Sequence, residues 1–302
     1  TPTKSELPLF TIGTHALIQS NETSKKLGMV IIDEQHKFGV TQRDKLLRRG
    51  AHPHLLVMTA TPIPRTMGLT LYGDLDISTL EEMPAGRGSL KTYLRTANSR
   101  PKVLSFLKKQ IGTGRQAYFV FPRVEEKEES EITAVTKELS VLSEYFAPFR
   151  VAMVHGKMKS EEKDRIMRSF SDGETQILLA TTVIEVGVDV PNATVMVIED
   201  AEQFGLAQLH QIRGRIGRGL HASHCILIGD ETKKEAWERL KVLEQTRDGF
   251  LIAEADFKVR GPGELAGKQQ SGLPRWRYLD LCKDRPLLES ARAEVRRTLG
   301  LG

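Results

Sequence analysis

The sequence predicts an α/β fold with open parallel sheets, and two patterns carry that prediction: short apolar runs recur along the chain, and helix-length stretches with apolar residues three and four apart separate them. Most runs are continuously apolar, as expected of parallel strands covered on both faces. Met29 to Ile32, Leu55 to Met58, Ala117 to Phe121, Val151 to Val154, Ile177 to Ala180, Val195 to Ile198 and Cys225 to Ile228 are expected as strands of this kind. Between them, Glu131 to Phe146 and Lys159 to Phe170 are expected helices. Pro84, Gly86 and Gly88 interrupt the pattern over Met83 to Ser89, and the strand Lys91 to Leu94 restarts it. Residues up to about 85 hold two or three strands, against about five or six in a typical sheet, so 1–85 reads as part of a domain. Residues 86–230 read as a complete second α/β unit. Residues 231–302 read as helical, over Lys233 to Thr246, Phe250 to Val259 and Leu287 to Leu299, with Gly261-Pro262-Gly263 as a break.

A chain of 302 residues, 39% hydrophobic and 27% charged, has the length for two modest cores and the balance of a soluble folded protein. No apolar stretch approaches the roughly 18 residues of a membrane span, and Thr1 to Phe10 lack a basic start and an apolar signal region. A cytoplasmic location without a membrane partner is expected. Because the chain opens on Thr1 and not Met, a further segment is expected upstream. Cys225 and Cys282 are the only cysteines, too few for a disulfide framework or thiolate cluster, and Cys225 stands in an apolar run as a small hydrophobe. His52/His54 and His221/His224 lack a carboxylate or thiolate to complete a metal set. A net charge of +5 permits a polyanionic partner without demanding one. The arrangement says more: Arg213, Arg215 and Arg218 cluster at glycines, and Arg275, Arg277, Arg292, Arg296 and Arg297 enrich the tail.

In open α/β sheets ligands bind beyond the carboxyl ends of strands, which directs attention to the residues after each run. Asp33-Glu34-Gln35-His36 follows the first strand, and such an acidic pair either holds Mg2+ through water and places a carboxylate near an attacking water, or is a solvated turn. Thr59-Ala60-Thr61-Pro62-Ile63-Pro64 follows the second, as a hydroxyl relay beside the acids or a capping turn in which Pro64 opens a helix. Ala180 to Pro191 and Gln211 to Gly219 come later. Arginines separated by glycines approach phosphates closely, either at a phosphoryl-transfer transition state or along a nucleic-acid backbone.

These blocks stand in the order of the superfamily 2 helicase motifs. Gly13 to Ile18 resembles motif Ib, Asp33 to His36 motif II, Thr59 to Thr61 motif III, Ala180 to Pro191 motif V, and Gln211 to Arg218 motif VI. Asp33 to Val40, Met58 to Arg65 with Leu71 to Leu75, Val154 to Met158, and Ile198 to Leu206 resemble the RecG branched-DNA helicases more narrowly. Asp248 to Gly272 is similar to the translocation motif that RecG shares with the transcription-repair coupling factor, a helical hairpin whose loop couples ATP turnover to movement on duplex DNA. The coupling factor itself fits less well. Gln35 stands where that family usually has a glutamate, and few residues follow the motif.

The resemblance implies RecA-like motor sheets, partial over 1–85 and complete over 86–230, then a translocation motif over 231–302. It implies ATP and Mg2+ as cofactors and branched or forked duplex DNA as partner. Carried over to matching positions, Asp33 would hold the metal ion through water and Glu34 would orient or deprotonate the attacking water. Arg215 and Arg218 would meet the γ-phosphate, supported by Gln211, with Gly187 and Asp189 near the nucleotide. Thr59 and Thr61 would serve coupling, Thr14, His155 and Thr181 would lie on the DNA track, and Arg260 and Gln270 would serve translocation. Gly267-Lys268-Gln269-Gln270 departs from the family's usual run there. No Gly-x-x-x-x-Gly-Lys-Ser/Thr occurs in the sequence, so the phosphate-binding loop and the wedge domain are expected in an upstream half of the same protein. A nucleic-acid-binding module without hydrolysis is the alternative for the chain alone.

Overall fold

The computed structural model describes residues 10–14, 16–19, 27–34, 40–48, 50, 53–60, 76–80, 82, 86–122, 128–181, 189–260 and 284–300. The chain divides into two compact units, Thr1–Thr61 and Pro62–Gly302.

In the first unit, β1 (Met29–Ile32) pairs in parallel with β2 (His54–Val57), in register from Met29 opposite His54 to Ile32 opposite Val57. The Met58 amide donates to the Ile32 carbonyl at 2.8 Å and carries the ladder one residue further. Helices α1 (Ala16–Gln19) and α2 (Val40–Leu47) complete the described elements. Val30 and Ile32 are buried, but Met29, Ile31, Leu56 and Met58 are exposed at 49%, 55%, 43% and 41%. With a pleat period of two and this register, those four share one face. The expectation of a strand buried on both faces therefore holds on one face of β1 only.

The second unit holds a six-stranded, all-parallel sheet in the order β3-β8-β7-β4-β6-β5. Its strands are β3 (Leu90–Thr96), β4 (Gln116–Val120), β5 (Val151–Val154), β6 (Ile177–Ala180), β7 (Ala193–Ile198) and β8 (Ser223–Gly229). The described α-helices are α3 (Arg100–Gly112), α4 (Glu128–Phe146), α5 (Ser160–Ser171), α6 (Leu206–Arg213), α7 (Lys234–Gln245), α8 (Gly249–Arg260) and α9 (Arg285–Leu299). Every residue of β4, β6 and β7 is buried. Alternate residues of each strand feed opposite cores: Tyr118, Leu178, Met196 and Leu227 pack on one face, and Phe119, Leu179, Val197 and Ile228 on the other. Val103, Leu107 and Ile111, four residues apart, give α3 the stripe it buries in the second core. None of the described helices is long and apolar enough to cross a membrane.

Two contacts fix the first strand of this sheet. At its free edge both backbone groups of Leu94 are taken by charged side chains: the amide donates to Glu244 Oε1 at 3.0 Å, and Arg95 Nη1 donates to the carbonyl at 2.7 Å. At its entrance, the Gly88 amide donates to the Gly219 carbonyl at 2.8 Å and the Ser223 amide to the Ser89 carbonyl at 2.7 Å. The approach excludes a side chain, because a Cβ on Gly88 would lie 2.1 Å from the His221 carbonyl oxygen. Gly219 is pressed in turn against Pro191, whose carbonyl oxygen a Cβ would meet at 2.7 Å.

Glycine is thus required at position 88 for space. By contrast, a Cβ on Gly112, at the end of α3, would meet nothing within 4 Å. Gly88→Ala is expected to lower unfolding free energy by about 1–3 kcal/mol through overpacking. Gly112→Ala should be neutral or raise it by up to about 1 kcal/mol through helix propensity. Parallel urea denaturation of the two variants checks both signs.

Candidate nucleotide and nucleic-acid site

Asp33 and Glu34 follow β1 directly, and Thr59 stands two residues beyond β2. Because Ile32 is opposite Val57, the parallel register brings all three to one end of the two-stranded sheet. Glu34 has φ +51°, in the left-handed region that non-glycine residues seldom occupy, and its amide donates to Asp33 Oδ1 at 2.9 Å. The turn aims Asp33 outward, an exposed carboxylate of the hard-oxygen kind that suits Mg2+ held through water. Thr14 caps α1: the Leu17 amide donates to its carbonyl at 2.9 Å and the Ala16 amide to its Oγ1 at 3.5 Å. Thr61 lies outside the described residues.

In the larger unit, β4, β6 and β5 end side by side. Val154 is opposite Ala180, and the Phe121 amide donates to the Ala180 carbonyl at 2.9 Å. His155 and Thr181, each one residue past its strand, are therefore neighbours on the carboxyl edge. Thr181 is buried, while His155 is half-buried with an Nδ1 that has no hydrogen-bond partner among the described residues.

The arginines lie elsewhere. Helix α6 runs back from the carboxyl end of β7 so that β8 can start parallel to it, and the turn after α6 lands at the amino ends of the strands. Gly217, at φ +74°, faces Leu90 and Ser223, the first residues of β3 and β8. Arg218 donates from Nε to the Gly214 carbonyl at 3.2 Å and pairs through Nη1 with Asp189 Oδ1 at 3.5 Å. Arg215 is half-buried beside it, one residue past the Gly214 cap, and Gln211 stands one turn earlier on α6. Burial pushes the Tyr118 hydroxyl up to about 12, although Arg218 and Arg215 both act to lower it. This places both guanidiniums within electrostatic reach of the central strand. Looking only beyond strand carboxyl ends finds His155 and Thr181 but misses this turn. Gly187 and Gln270 lie outside the described residues, and Arg260 ends α8 with its side chain undescribed.

Comparison with known proteins follows this division. Residues 101–219, which end one residue past Arg218, match the helicase conserved C-terminal domain, and residues 246–300 match ATP-dependent DNA helicase RecG, domain 3, C-terminal. The RecG helicase of Synechocystis sp. is 51% identical over 288 residues, 95% of this chain and 34% of that protein. That of Bacillus subtilis is 48% identical over 285 residues, 94% of this chain and 42% of that protein. A solved structure of RecG bound to a three-way DNA junction superposes with a TM-score of 0.70 at 46% identity, over 92% of this chain and 36% of that one. The chain belongs to the RecG family. Its sheets have the RecA-like helicase architecture, and it spans between a third and a half of the length of these RecG relatives.

Within the stretch Gln211 to Arg218, Arg213 behaves unlike its neighbours. It is 3% exposed, and its guanidinium turns inward to Thr92, Leu243, Thr246 and His210. The signal was present in the helical phase. Arg213 lies four residues after Leu209 and seven after Leu206, so it belongs to the buried stripe of α6, whereas glycine-arginine spacing groups it with Arg215 and Arg218. A second arrangement without a sequence signature is Arg100, which donates from Nε to Glu199 at 2.8 Å and from Nη2 to Glu138 at 2.5 Å, tying the start of α3 to the end of β7 and to α4.

Burial, and then the Arg213 guanidinium, hold His210 at about 4, with Asp248 opposing them. Neutral His210 accepts a hydrogen bond at Nδ1 from Arg213 Nη2, 3.0 Å away. Because the folded value lies below the ordinary 6.5, the unfolded chain binds a proton that the folded chain does not between pH 6.5 and about 4. Stability should fall as pH falls through that window, by up to about 3 kcal/mol from this group. His210→Gln should flatten that part of the curve, as urea unfolding of both proteins at several pH values between 7.5 and 4 will measure.

Proposed function

We propose that this chain supplies part of an ATP-driven DNA helicase motor acting on branched or forked duplex DNA, with 1–85 contributing to the first motor domain, 86–230 forming the second, and 231–302 carrying the translocation motif. The observation that carries this reading is 51% identity to a RecG helicase over 95% of the chain, and 46% identity to the junction-bound RecG structure over 92% of it. The junction-bound RecG structure supports branched DNA as partner, and the match over 246–300 favours RecG over the coupling factor.

In this reading ATP would supply the phosphoryl group and Mg2+ would screen its charge. Asp33 would hold the ion through water, and Glu34 would orient or deprotonate the attacking water. Arg215 and Arg218 stabilise charge that develops on the phosphates, and a finger of this kind contributes about 10³ to 10⁵ in rate. Arg218 is held meanwhile by Asp189, a partly exposed pair that screening makes easy to exchange for a phosphate. Gly187 and Gln211 complete the nucleotide side, and Thr59 and Thr61 link the acids to movement. Thr14, His155 and Thr181 follow the DNA. Arg260 and Gln270 serve translocation, so loss of either should uncouple turnover from unwinding.

The upstream half is a required partner in this reading, because the sequence lacks a phosphate-binding loop. The exposed face of Met29, Ile31, Leu56 and Met58 supports it, since parallel sheets are covered on both faces. The assignment implies a cytoplasmic protein.

The chain alone is expected to hydrolyse ATP no faster than its Glu34→Gln variant. Joined to the upstream segment of a close RecG relative, it should show DNA-stimulated turnover. Arg218→Ala in the joined protein should lower kcat by about 10³-fold or more while ATP affinity changes little. Equal losses in affinity and turnover would assign Arg218 to ground-state contacts. Absence of stimulated turnover in the joined, unsubstituted protein would favour a binding module without hydrolysis.

A further inference from the structure

Arg213 is a buried cation whose hydrogen-bond partners among the described residues carry no negative charge. Nη1 donates to Thr92 Oγ1 at 3.1 Å, to the Leu243 carbonyl at 2.7 Å and to the Thr246 carbonyl at 3.0 Å, and Nη2 meets His210 Nδ1 at 3.0 Å. Thr92 belongs to β3, Leu243 to the last turn of α7, and Thr246 is the residue that caps that helix. The two carbonyls lie at the negative end of the α7 dipole, which accounts for a guanidinium being kept in a buried site without a carboxylate among the described residues.

Thr246 also begins the joint to the next helix. The Asp248 amide donates to Thr246 Oγ1 at 3.0 Å, and the Phe250 amide donates to Asp248 Oδ1 at 2.8 Å, capping α8. The general helicase match ends at residue 219, and the RecG-specific match begins at 246. Arg213 therefore lies inside the first segment and grips the opening residue of the second. Two residues further along the chain is Arg215, in the turn that carries Arg218.

Apolar contact joins the same helices. Leu206, Leu209 and Ile212 of α6 lie in one core with Leu240, Leu243 and Ile252 of α7 and α8. Apolar contact is non-directional and tolerates sliding. Hydrogen bonds from a planar guanidinium are directional, and here the two hydrogens of Nη1 are shared among three acceptors while Nη2 meets His210, which helps to hold the plane.

We propose that Arg213 is a positioning residue that acts as a strut, locking the register between the α6 turn and the α7–α8 joint so that displacement of the arginine turn moves the helix that ends in Arg260. The mechanical half of this inference stands on the contacts above, and the coupling half rests on the motor reading.

Two measurements separate those halves. In the 302-residue chain, hydrogen–deuterium exchange of Arg213→Met should show amides in 248–257 exchanging at least tenfold faster, with those of β4, β6 and β7 unchanged. Thr92→Val, which removes one acceptor and keeps the volume, should give a smaller change in the same segment, and it decides the matter if Arg213→Met does not fold. Unchanged exchange at 248–257, or a uniform rise across the sheet, would overturn the strut. In the protein joined to a relative's upstream segment, Arg213→Lys should keep kcat for ATP within about threefold and lower base pairs unwound per ATP at least tenfold. Parallel loss of turnover and unwinding would overturn the coupling role and return Arg213 to the nucleotide site. If the unsubstituted joined protein shows no DNA-stimulated turnover, the motor reading fails and the exchange result alone judges the strut.

Discussion

Parallel strands can be joined only by crossovers that pass over a face of the sheet, and that constraint organises the larger unit of this protein. A central group of β4, β6 and β7 with no exposed residue requires cover on both sides, and the helices between strands provide it. The same constraint distributes the chemistry. Strands that share a direction end together, which puts His155 beside Thr181. Each crossover must also return the chain to the opposite edge before the next strand begins. The return after β7 is α6, and the turn at its end is where Arg215 and Arg218 meet Asp189. Candidate residues thus fall at both ends of one sheet as a result of its topology.

The strands were the most legible part of the sequence because a fully buried parallel strand has few alternatives to aliphatic residues. Ile177–Ala180 and Val151–Val154 match their apolar runs residue for residue. The expected Cys225 to Ile228 extends to Ser223–Gly229, and Lys91 to Leu94 to Leu90–Thr96, since a ladder continues through polar residues when its partner strand does. Leu55 to Met58 shifts to His54–Val57 for a related reason, with Met58 still bonded to Ile32.

Side-chain direction was much less legible. Asp33 and Glu34 could be found because they terminate an apolar run, and their turn adds a backbone conformation that no residue type announces. Arg213, Arg215 and Arg218 look alike in the sequence, yet one is buried against neutral acceptors and another is paired with an exposed carboxylate. What separates them is where α6 stops. Residue 213 still obeys the helix period, and residues beyond Gly214 do not. The distant acceptors of Arg213, at positions 92, 243 and 246, come together only once the sheet and the two following helices have packed.

The charged plug at Leu94 bears on the behaviour of the molecule in a crowded solution. An outer strand of a parallel sheet offers a row of unused amides and carbonyls, and a second molecule can add a strand to such a row. Here Glu244 occupies the Leu94 amide and Arg95 its carbonyl, so an incoming strand would have to displace two charged groups, themselves 3.6 Å apart, to gain its hydrogen bonds at that residue. Because Glu244 comes from α7, the plug is present only when that helix has docked. A chain caught before α7 settles would show β3 bare, and for that interval its hazard would be self-association and not a loss of catalytic parts.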